Sequence, residues 1–378
     1  MSPPCSVHFP PRTHSPGLDD PRRRSCHTRI MHSRLSLGLS LLSLAFSLSA
    51  CGGTEDQGGS ALTKPSFAYP LDDVLRLHHV QAKATHNSFH VANPDLSGPE
   101  YAVDHAPLDV QLAEQGVRSV ELDLRYDEAL GDYKVAHVPF LDEGSTCATF
   151  QECLGVMKRW SDAHPAHLPF TILLDLKDLA PSADTIEASF GTLHEVILGV
   201  WPQKRIVTPD EVQGDHATLG EAVKTEGWPT LGKLRGRVIF TMYNLNDGFG
   251  TAYSRGGTSL AGRLAFTRTV PTDPHAAWTL YDDPTVTKVL IDEAAAANML
   301  VRTRAEIDLD AALAGETALR DAALASAAHF ITTDYPAPID GSTYHVDIKG
   351  GTPARCNPVT APAECTSEAI EDPAFMKP

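Results

Sequence analysis

The stretch THNSFH at residues 85–90 closes an apolar run, VQAKA, with two histidines, an asparagine and a serine in six positions. A strand end buried in a core has little use for that many polar groups. Two further runs share the habit. In VELDLRY, Glu121 and Asp123 stand two apart, and in TILLDLKD so do Asp175 and Lys177. On a strand that spacing sends both side chains of a pair to one face. Asn87 with Glu121, Asp123 and Asp175 supplies only oxygen donors, the preference of a hard cation such as Ca²⁺ or Mg²⁺. Three carboxylates gathered without a cation would repel and raise one another's pKa. A single such pair reads equally well as a rim salt bridge; three at matching strand ends read as a site. His137 ends another short run, YKVAHVPF. Beside a metal site it is a candidate general acid/base, as is His86, because imidazole titrates near neutrality. His78, His79, His164 and His167 read as solvated loop histidines.

The elements that must carry these residues alternate along the chain. Strands are expected at 79–85, 118–126, 170–178, 237–244, 299–305 and 329–335, with a weaker one at 263–270. Amphipathic helices are expected at 108–116, 149–160, 182–200, 285–299 and 309–327. Strands apolar on both faces and separated by helices indicate a parallel sheet. The fold class is therefore α/β, a single-domain TIM-type (β/α)8 barrel with irregular connections, and no Gly-rich dinucleotide turn favours a doubly wound sheet. Each polar pair sits at the C-terminal end of its strand, where barrels place their active sites. Arg302 and Arg304 in VRTRAE share a strand face, placed either to grip a phosphate or to pair with carboxylates. Tyr335 in TTDYP is placed either to stack on a sugar ring or to pack in the core. YNLNDGFGTAYSRGG (243–257) reads as a rim loop.

Ahead of the barrel, MHSRLSLGLSLLSLAFSLSAC begins with a basic residue, continues apolar and ends in small residues at a cysteine, the plan of an export signal. LSAC resembles the lipobox of a bacterial lipoprotein, which implies cleavage before Cys51 and acylation there; GGTEDQGGS then reads as a flexible tether. The expected divisions are an upstream extension (1–30), a lipoprotein signal peptide (31–50), a tether (51–68), the barrel domain (69–355) and a disulfide-pinned tail (356–378). Residues 1–50 carry six arginines and two aspartates, so the chain from residue 51 holds 25 basic and 46 acidic residues, net −21. That surface repels nucleic acid unless cations intervene, and a nucleic-acid role is not expected. Four cysteines remain beyond Cys51, and in an exported chain their local spacing favours Cys147–Cys153 and Cys356–Cys365 as disulfides.

The order THNSFH, QLAEQGVRSVELDLRY, VAH, STCATFQECLGVMKRWSDAHPAHLPFTILLDLKD, VRTRAE and TTDYP resembles the Ca²⁺-dependent phosphoinositide-specific phospholipase C family of bacterial and fungal type, over roughly residues 80 to 340. The resemblance implies a TIM-type barrel and a phosphoric diester hydrolase acting on phosphatidylinositol or a related inositol phospholipid through an inositol cyclic phosphate, with Ca²⁺ as cofactor. It implies that His86 contacts the phosphate, that Asn87, Glu121, Asp123 and Asp175 hold the metal, and that Glu121 or Asp175 serves as base. His137 matches the second catalytic histidine, and Lys177 the lysine reaching substrate phosphate, with Arg302 and Tyr335 as further candidates for substrate contact. Asp175 stands where relatives commonly carry Glu in an E-x-K pattern. Glycerophosphodiester phosphodiesterases are similar through E-x-D, but they open with His-Arg and follow the second histidine with Asp, against His86-Asn87 and His137-Val138 here. The alternatives are such a glycerophosphodiesterase, or a non-catalytic surface lipoprotein that binds inositol or glycan. The protein is expected to be an exported, membrane-anchored monomer, periplasmic or on the cell surface. Substituting Cys51→Ser should move it from the detergent phase to the aqueous phase of a detergent extraction, because lipid chains supply an anchor that the acidic surface does not. A wild-type chain without lipid mass at its N-terminus would contradict this.

Overall fold

The polar pairs reach one rim because of strand register. A computed structural model describes residues 67–177, 183–244 and 248–376, with backbone alone for 183–188. Cys51, the export signal, most of the tether and the upstream extension lie outside the described residues. Ten strands are present: β1 (Val80–Thr85), β2 (Val117–Asp127), β3 (Asp132–Val135), β4 (Phe170–Leu176), β5 (Val238–Met242), β6 (Ala265–Thr267), β7 (Trp278–Leu280), β8 (Leu300–Arg304), β9 (Phe330–Thr333) and β10 (Ala354–Cys356). Eight pair in parallel in the order β6-β5-β4-β2-β1-β9-β8-β7. A single parallel bridge, Arg268 to Trp278, joins the two ends, so the barrel is nearly closed. β3 folds back antiparallel on β2, and β10 lies antiparallel against β1. Among the described residues no helix is long and apolar enough to cross a membrane.

β4 and the first eight residues of β2 are buried throughout, as expected for strands with the barrel interior on one face and helices on the other. Val120, Leu122 and Leu124 alternate with Ser119, Glu121 and Asp123, which share a face. Parallel pairing sets Asp123 directly beside Asp175 and Glu121 beside Leu173. In β1 the residues on the face that leads to the site are Ala82 and Ala84, paired with Phe330 and Thr332 of β9. Their small side chains leave room for a long one: Arg302 of β8 reaches across to Glu121 of β2, 3.0 Å away.

Four sequence expectations need correction. The expected helix 309–327 is two helices, Leu309–Leu313 and Ala318–Ala325, because Gly315 adopts φ +94°, which ends the first. The expected rim loop 243–257 contains a helix, Gly248–Tyr253; residues 245–247 lie outside the described residues. The third is the strand count: β3, β7 and β10, three to four residues each and too short to show a period, are not among the expected strands. Lastly, His78 and His167 are buried rather than solvated. His167 Nε2 lies 2.6 Å from Ser161 Oγ, and burial holds its pKa down at about 3.

Both expected disulfides are present, Cys147–Cys153 and Cys356–Cys365. The first ties the segment after the β3 turn to the helix Phe150–Ala163. The C-terminal segment is also built into the barrel by charge. Arg118 donates to both carboxylate oxygens of Glu371, at 2.8 and 2.9 Å, with both residues fully buried. Glu371 also accepts from the Leu168 amide, and Arg118 from its other arm donates to the Leu112 and Val117 carbonyls. Glu371→Ala leaves a buried, uncompensated guanidinium, so it should lower unfolding free energy by about 3–5 kcal/mol in chemical denaturation. A loss below about 1 kcal/mol would show that the tail is not part of the cooperative unit.

Candidate active site

The first strand delivers two site residues in succession. His86 follows β1 and donates its amide to Thr333 O at 3.2 Å, and Asn87 then turns with φ +43°, a region asparagine tolerates better than most residues. Ser88 fastens this turn to β2: its amide donates to Glu121 O (3.0 Å), and its hydroxyl accepts from the Glu121 amide (2.8 Å). Buried Gln111 donates to Ser88 O at 2.6 Å and accepts from the Thr85 hydroxyl. His105, also buried, donates Nε2–H to His86 O at 2.8 Å. Asn87 is thereby held over the strand that carries Glu121 and Asp123.

One cavity, about 140 Å³, collects His86, Asn87, Glu121, Asp123, His137, Asp175 and Lys177, every candidate of the first four motifs. It also takes in Arg302 and Arg304, and three residues that sequence reasoning did not single out reach the site: Tyr243, Asp282 and Asp334. Carboxylate oxygens of Glu121, Asp123 and Asp175 lie within 4.8 Å of one another, all three residues buried. Lys177 Nζ stands 2.6 Å from Asp175 Oδ2 and 3.4 Å from Asp123 Oδ2. Burial lowers the Lys177 pKa, but Asp123 and Asp175 outweigh it and hold the ammonium above its ordinary value. Arg302 is shared between Glu121 and Asp282, with Nε on the Thr332 hydroxyl.

Asp123 is the least satisfied member of this cluster. Neither of its oxygens accepts a hydrogen bond, although both are buried. Burial raises its pKa to about 7, and the charges of Glu121 and Asp175 push it the same way against the pull of Lys177. A buried carboxylate with idle lone pairs beside two others fits a hard divalent cation, with the Asn87 side chain as a fourth oxygen donor. These residues fit Ca²⁺.

His86 is backed differently. Its Nδ1 lies 2.9 Å from Asp334 Oδ1, and Arg304 donates to the other oxygen of Asp334 at 3.1 Å. Burial lowers the His86 pKa, yet the Asp334 charge prevails and places it above the ordinary histidine value. The same partners hold Asp334 far below the usual carboxylate range in spite of its burial. Of the two readings for Arg302 and Arg304, pairing with carboxylates is what the structure shows, although both line the cavity. Tyr335 is not among the lining residues. It packs with Val103, Leu309, Ala312 and Tyr344 in a separate apolar cluster, so it is a core residue.

A family model described as phosphoinositide phospholipase C, Ca²⁺-dependent, matches residues 132–358. Among solved structures, a calcium-dependent phosphoinositol-specific phospholipase C from a Gram-negative bacterium, Pseudomonas sp., superposes with TM-score 0.55 at 18% identity, covering 77% of this chain and 98% of that one. The myoinositol complex of that enzyme gives 0.56 at 18%, covering 78% and 100%. A Ca²⁺-dependent phosphatidylinositol-specific phospholipase C from Streptomyces antibioticus gives 0.50 at 20%, covering 69% and 95%. At such identities the likeness is one of fold. No curated protein matches the chain.

Because Asp123 takes up a proton near pH 7 in the metal-free protein, protons and Ca²⁺ compete for it. Ca²⁺ affinity should be full above pH 7 and fall about tenfold per pH unit below it, with proton release on binding in calorimetry. Affinity that stays flat between pH 5.5 and 8 would rule out Asp123 as a ligand.

Proposed function

This chain belongs to the Ca²⁺-dependent phosphoinositide phospholipase C family, and we propose that it cleaves phosphatidylinositol or a related inositol phospholipid to diacylglycerol and an inositol cyclic phosphate. It is a phosphoric diester hydrolase. The observation that carries the proposal is the sharing of one cavity by two histidines and the Glu121–Asp123–Asp175 group. Asn87, Glu121, Asp123 and Asp175 would hold Ca²⁺, which when bound polarises phosphoryl and hydroxyl oxygens.

The remaining work falls to the chain's own side chains. His86 has its Nδ1 taken by Asp334, which leaves Nε2 to hydrogen-bond the non-bridging phosphate oxygens. A raised pKa suits that task, since a protonated ring is what stabilises added negative charge. Lys177, which lines the same cavity beside Asp175, would reach the same oxygens. A carboxylate, Glu121 or Asp175, accepts the proton of the inositol 2-hydroxyl as its oxygen bonds to phosphorus. The bond from phosphorus to the glycerol oxygen breaks, and His137 donates a proton to that oxygen. Atoms and charge then balance without a water molecule, and the product is cyclic.

A membrane substrate is supported by exposed apolar residues on segments that follow the cavity residues. Phe140, three residues beyond His137, is 99% exposed. Leu141, Val286, Val289, Leu290 and Ile307 are also exposed, on segments that follow lining residues His137, Asp282 and Arg304. Exposed apolar side chains on such segments fit contact with a lipid surface better than contact with water. Export and the Cys51 anchor are part of the same reading, and two disulfides support an oxidising compartment.

Phosphatidylinositol cleavage should stop in excess chelator and return with Ca²⁺, and phosphorus NMR should show a five-membered cyclic phosphate before any monoester. His137→Ala should slow the natural substrate by about 10²–10⁴-fold and an analogue with an acidic phenol leaving group far less, because only the poor leaving group needs a proton. His86→Ala should slow both. Cleavage of glycerophosphodiesters to glycerol 3-phosphate, with phosphatidylinositol untouched, would replace this reading with the glycerophosphodiesterase one.

A further inference from the structure

THNSFH contains a second histidine that the chemistry above does not use. His90 is buried, with 1% of its surface exposed, and so is Asp142 at 0%. His90 Nδ1 lies 2.7 Å from Val103 O, which only accepts, and Nε2 lies 2.9 Å from Asp142 Oδ2. Both ring nitrogens are thus engaged, one by a backbone carbonyl and the other by the carboxylate. The same oxygen, Asp142 Oδ2, stands 2.8 Å from His137 Nδ1. The rings of His90 and His137 meet edge to face, centroids 5.6 Å apart. Asp142 Oδ1 has no partner, so the whole hydrogen-bonding demand on this carboxylate converges on one atom.

Local structure builds the chain of contacts. Val138 and Asp142 exchange backbone hydrogen bonds at 3.0 and 2.8 Å, which closes a tight loop and returns Asp142 beside His137. Arg125 donates to Ala136 O at 2.5 Å and to His137 O at 3.1 Å, fixing the backbone that carries the ring. His90 is set by its amide on Asn87 O (2.8 Å) and by a bridge to Ser145. Burial favours the neutral form of Asp142, but the two N–H donors outweigh it and keep the carboxyl below its ordinary pKa.

We propose that His90 and Asp142 are positioning residues for the proton-donating histidine: together they hold the His137 ring with Nδ1 turned away and Nε2 presented to the departing glycerol oxygen. His90 meets the same Asp142 oxygen as His137 and ties it to the Val103 backbone, so the carboxylate keeps its place when His137 gives up and regains its Nε2 proton. A metal ion at the three residues is the competing account. Tetrahedral ligands at about 2.0–2.1 Å from a metal lie roughly 3.3 Å from one another. The nitrogen-to-oxygen separations of 2.8 and 2.9 Å are instead those of charge-assisted hydrogen bonds.

The proposal rests on His137 being the proton donor, and the test separates the two claims. Variants Asp142→Asn, His90→Phe, His90→Gln and His137→Ala of the Ca²⁺-loaded protein are compared on phosphatidylinositol and on the phenol-leaving-group analogue. Melting temperature and Ca²⁺ affinity are checked alongside. Asp142→Asn should slow the natural substrate on the order of 10²–10³-fold and the analogue less than about threefold, since an amide no longer enforces the tautomer. His90→Phe should show the same selectivity more weakly, and His90→Gln should recover part of the loss because its amide still donates to Asp142. Nitrogen-15 NMR of His137 should report a proton on Nδ1 in the wild type and mixed tautomers in Asp142→Asn. Equal slowing of both substrates, with the tautomer unchanged, overturns the proposal while leaving a selective His137→Ala effect, and so the donor reading, standing. If His137→Ala itself shows no leaving-group selectivity, the donor reading fails and the positioning role falls with it. One equivalent of Zn²⁺ binding to the Ca²⁺-saturated wild type but not to His90→Gln would make the cluster a metal site and also overturn the proposal.

Discussion

Like charges do not gather in a protein interior unless something answers them. Glu121, Asp123 and Asp175 bring carboxylate oxygens within 4.8 Å of one another beneath the surface of the barrel mouth. Much of the interior is arranged around that repulsion. Lys177 sits on the outer side of the Asp123–Asp175 pair, and Arg302 crosses the barrel to Glu121. The crossing requires space, and Ala82 and Ala84 on the intervening strand leave it. These two cations answer Glu121 and Asp175 well and Asp123 poorly. An idle carboxylate with a pKa near 7 is what remains, and a divalent ion is the partner that would complete it.

Such a cluster is useful only if its members cannot drift apart. Adjacent strand register sets Asp123 against Asp175, which secures one edge. Asn87 approaches from a turn rather than a strand, so its position rests on side chains: Ser88 bonded to both backbone groups of Glu121, Gln111 across Ser88 and Thr85, and His105 on the carbonyl of His86. None of these touches the cavity. They explain why THNSFH is polar beyond the two residues assigned to substrate and metal: it is a fastening as well as a site.

The barrel and the pairs at its rim were legible in the sequence because each depended on local pattern. Period-2 spacing marked Glu121 with Asp123 and Asp175 with Lys177, and the apolar residues around them, Val120, Leu122 and Leu124 or Ile172, Leu173 and Leu174, marked their strands. What escaped was set by tertiary register or by segments too short to show a period. Asp282 follows a three-residue strand, and Asp334 sat in a quoted motif where Tyr335 drew the attention an aromatic ring attracts. Tyr335 turned inward because Val103, Leu309 and Tyr344 offer it an apolar home. The burial of His78 and His167 had no sequence signal: the amide that donates to His78 belongs to Trp228, far along the chain, and the polar turn around His167 hid its local bond to Ser161. Gly315 did carry a signal: a glycine in mid-pattern marks a helix end, and the helical period around it masked that.

The two catalytic-site histidines share one plan and differ in one partner. Each gives Nδ1 to a buried aspartate, Asp334 behind His86 and Asp142 behind His137, and each aspartate has a second donor. Behind His86 that donor is Arg304, a permanent charge; behind His137 it is His90, a ring held by hydrogen bonds at both nitrogens. The division matches the two tasks proposed for these histidines. A group that steadies charge on phosphorus works best when it keeps its proton throughout, and His86 stands above the ordinary histidine pKa despite the guanidinium beside its aspartate. A group that surrenders a proton and takes it back needs orientation that survives the change. His90 offers that to His137 through Asp142 with a planar donor locked to the Val103 backbone, where a long flexible cation would follow the moving charge.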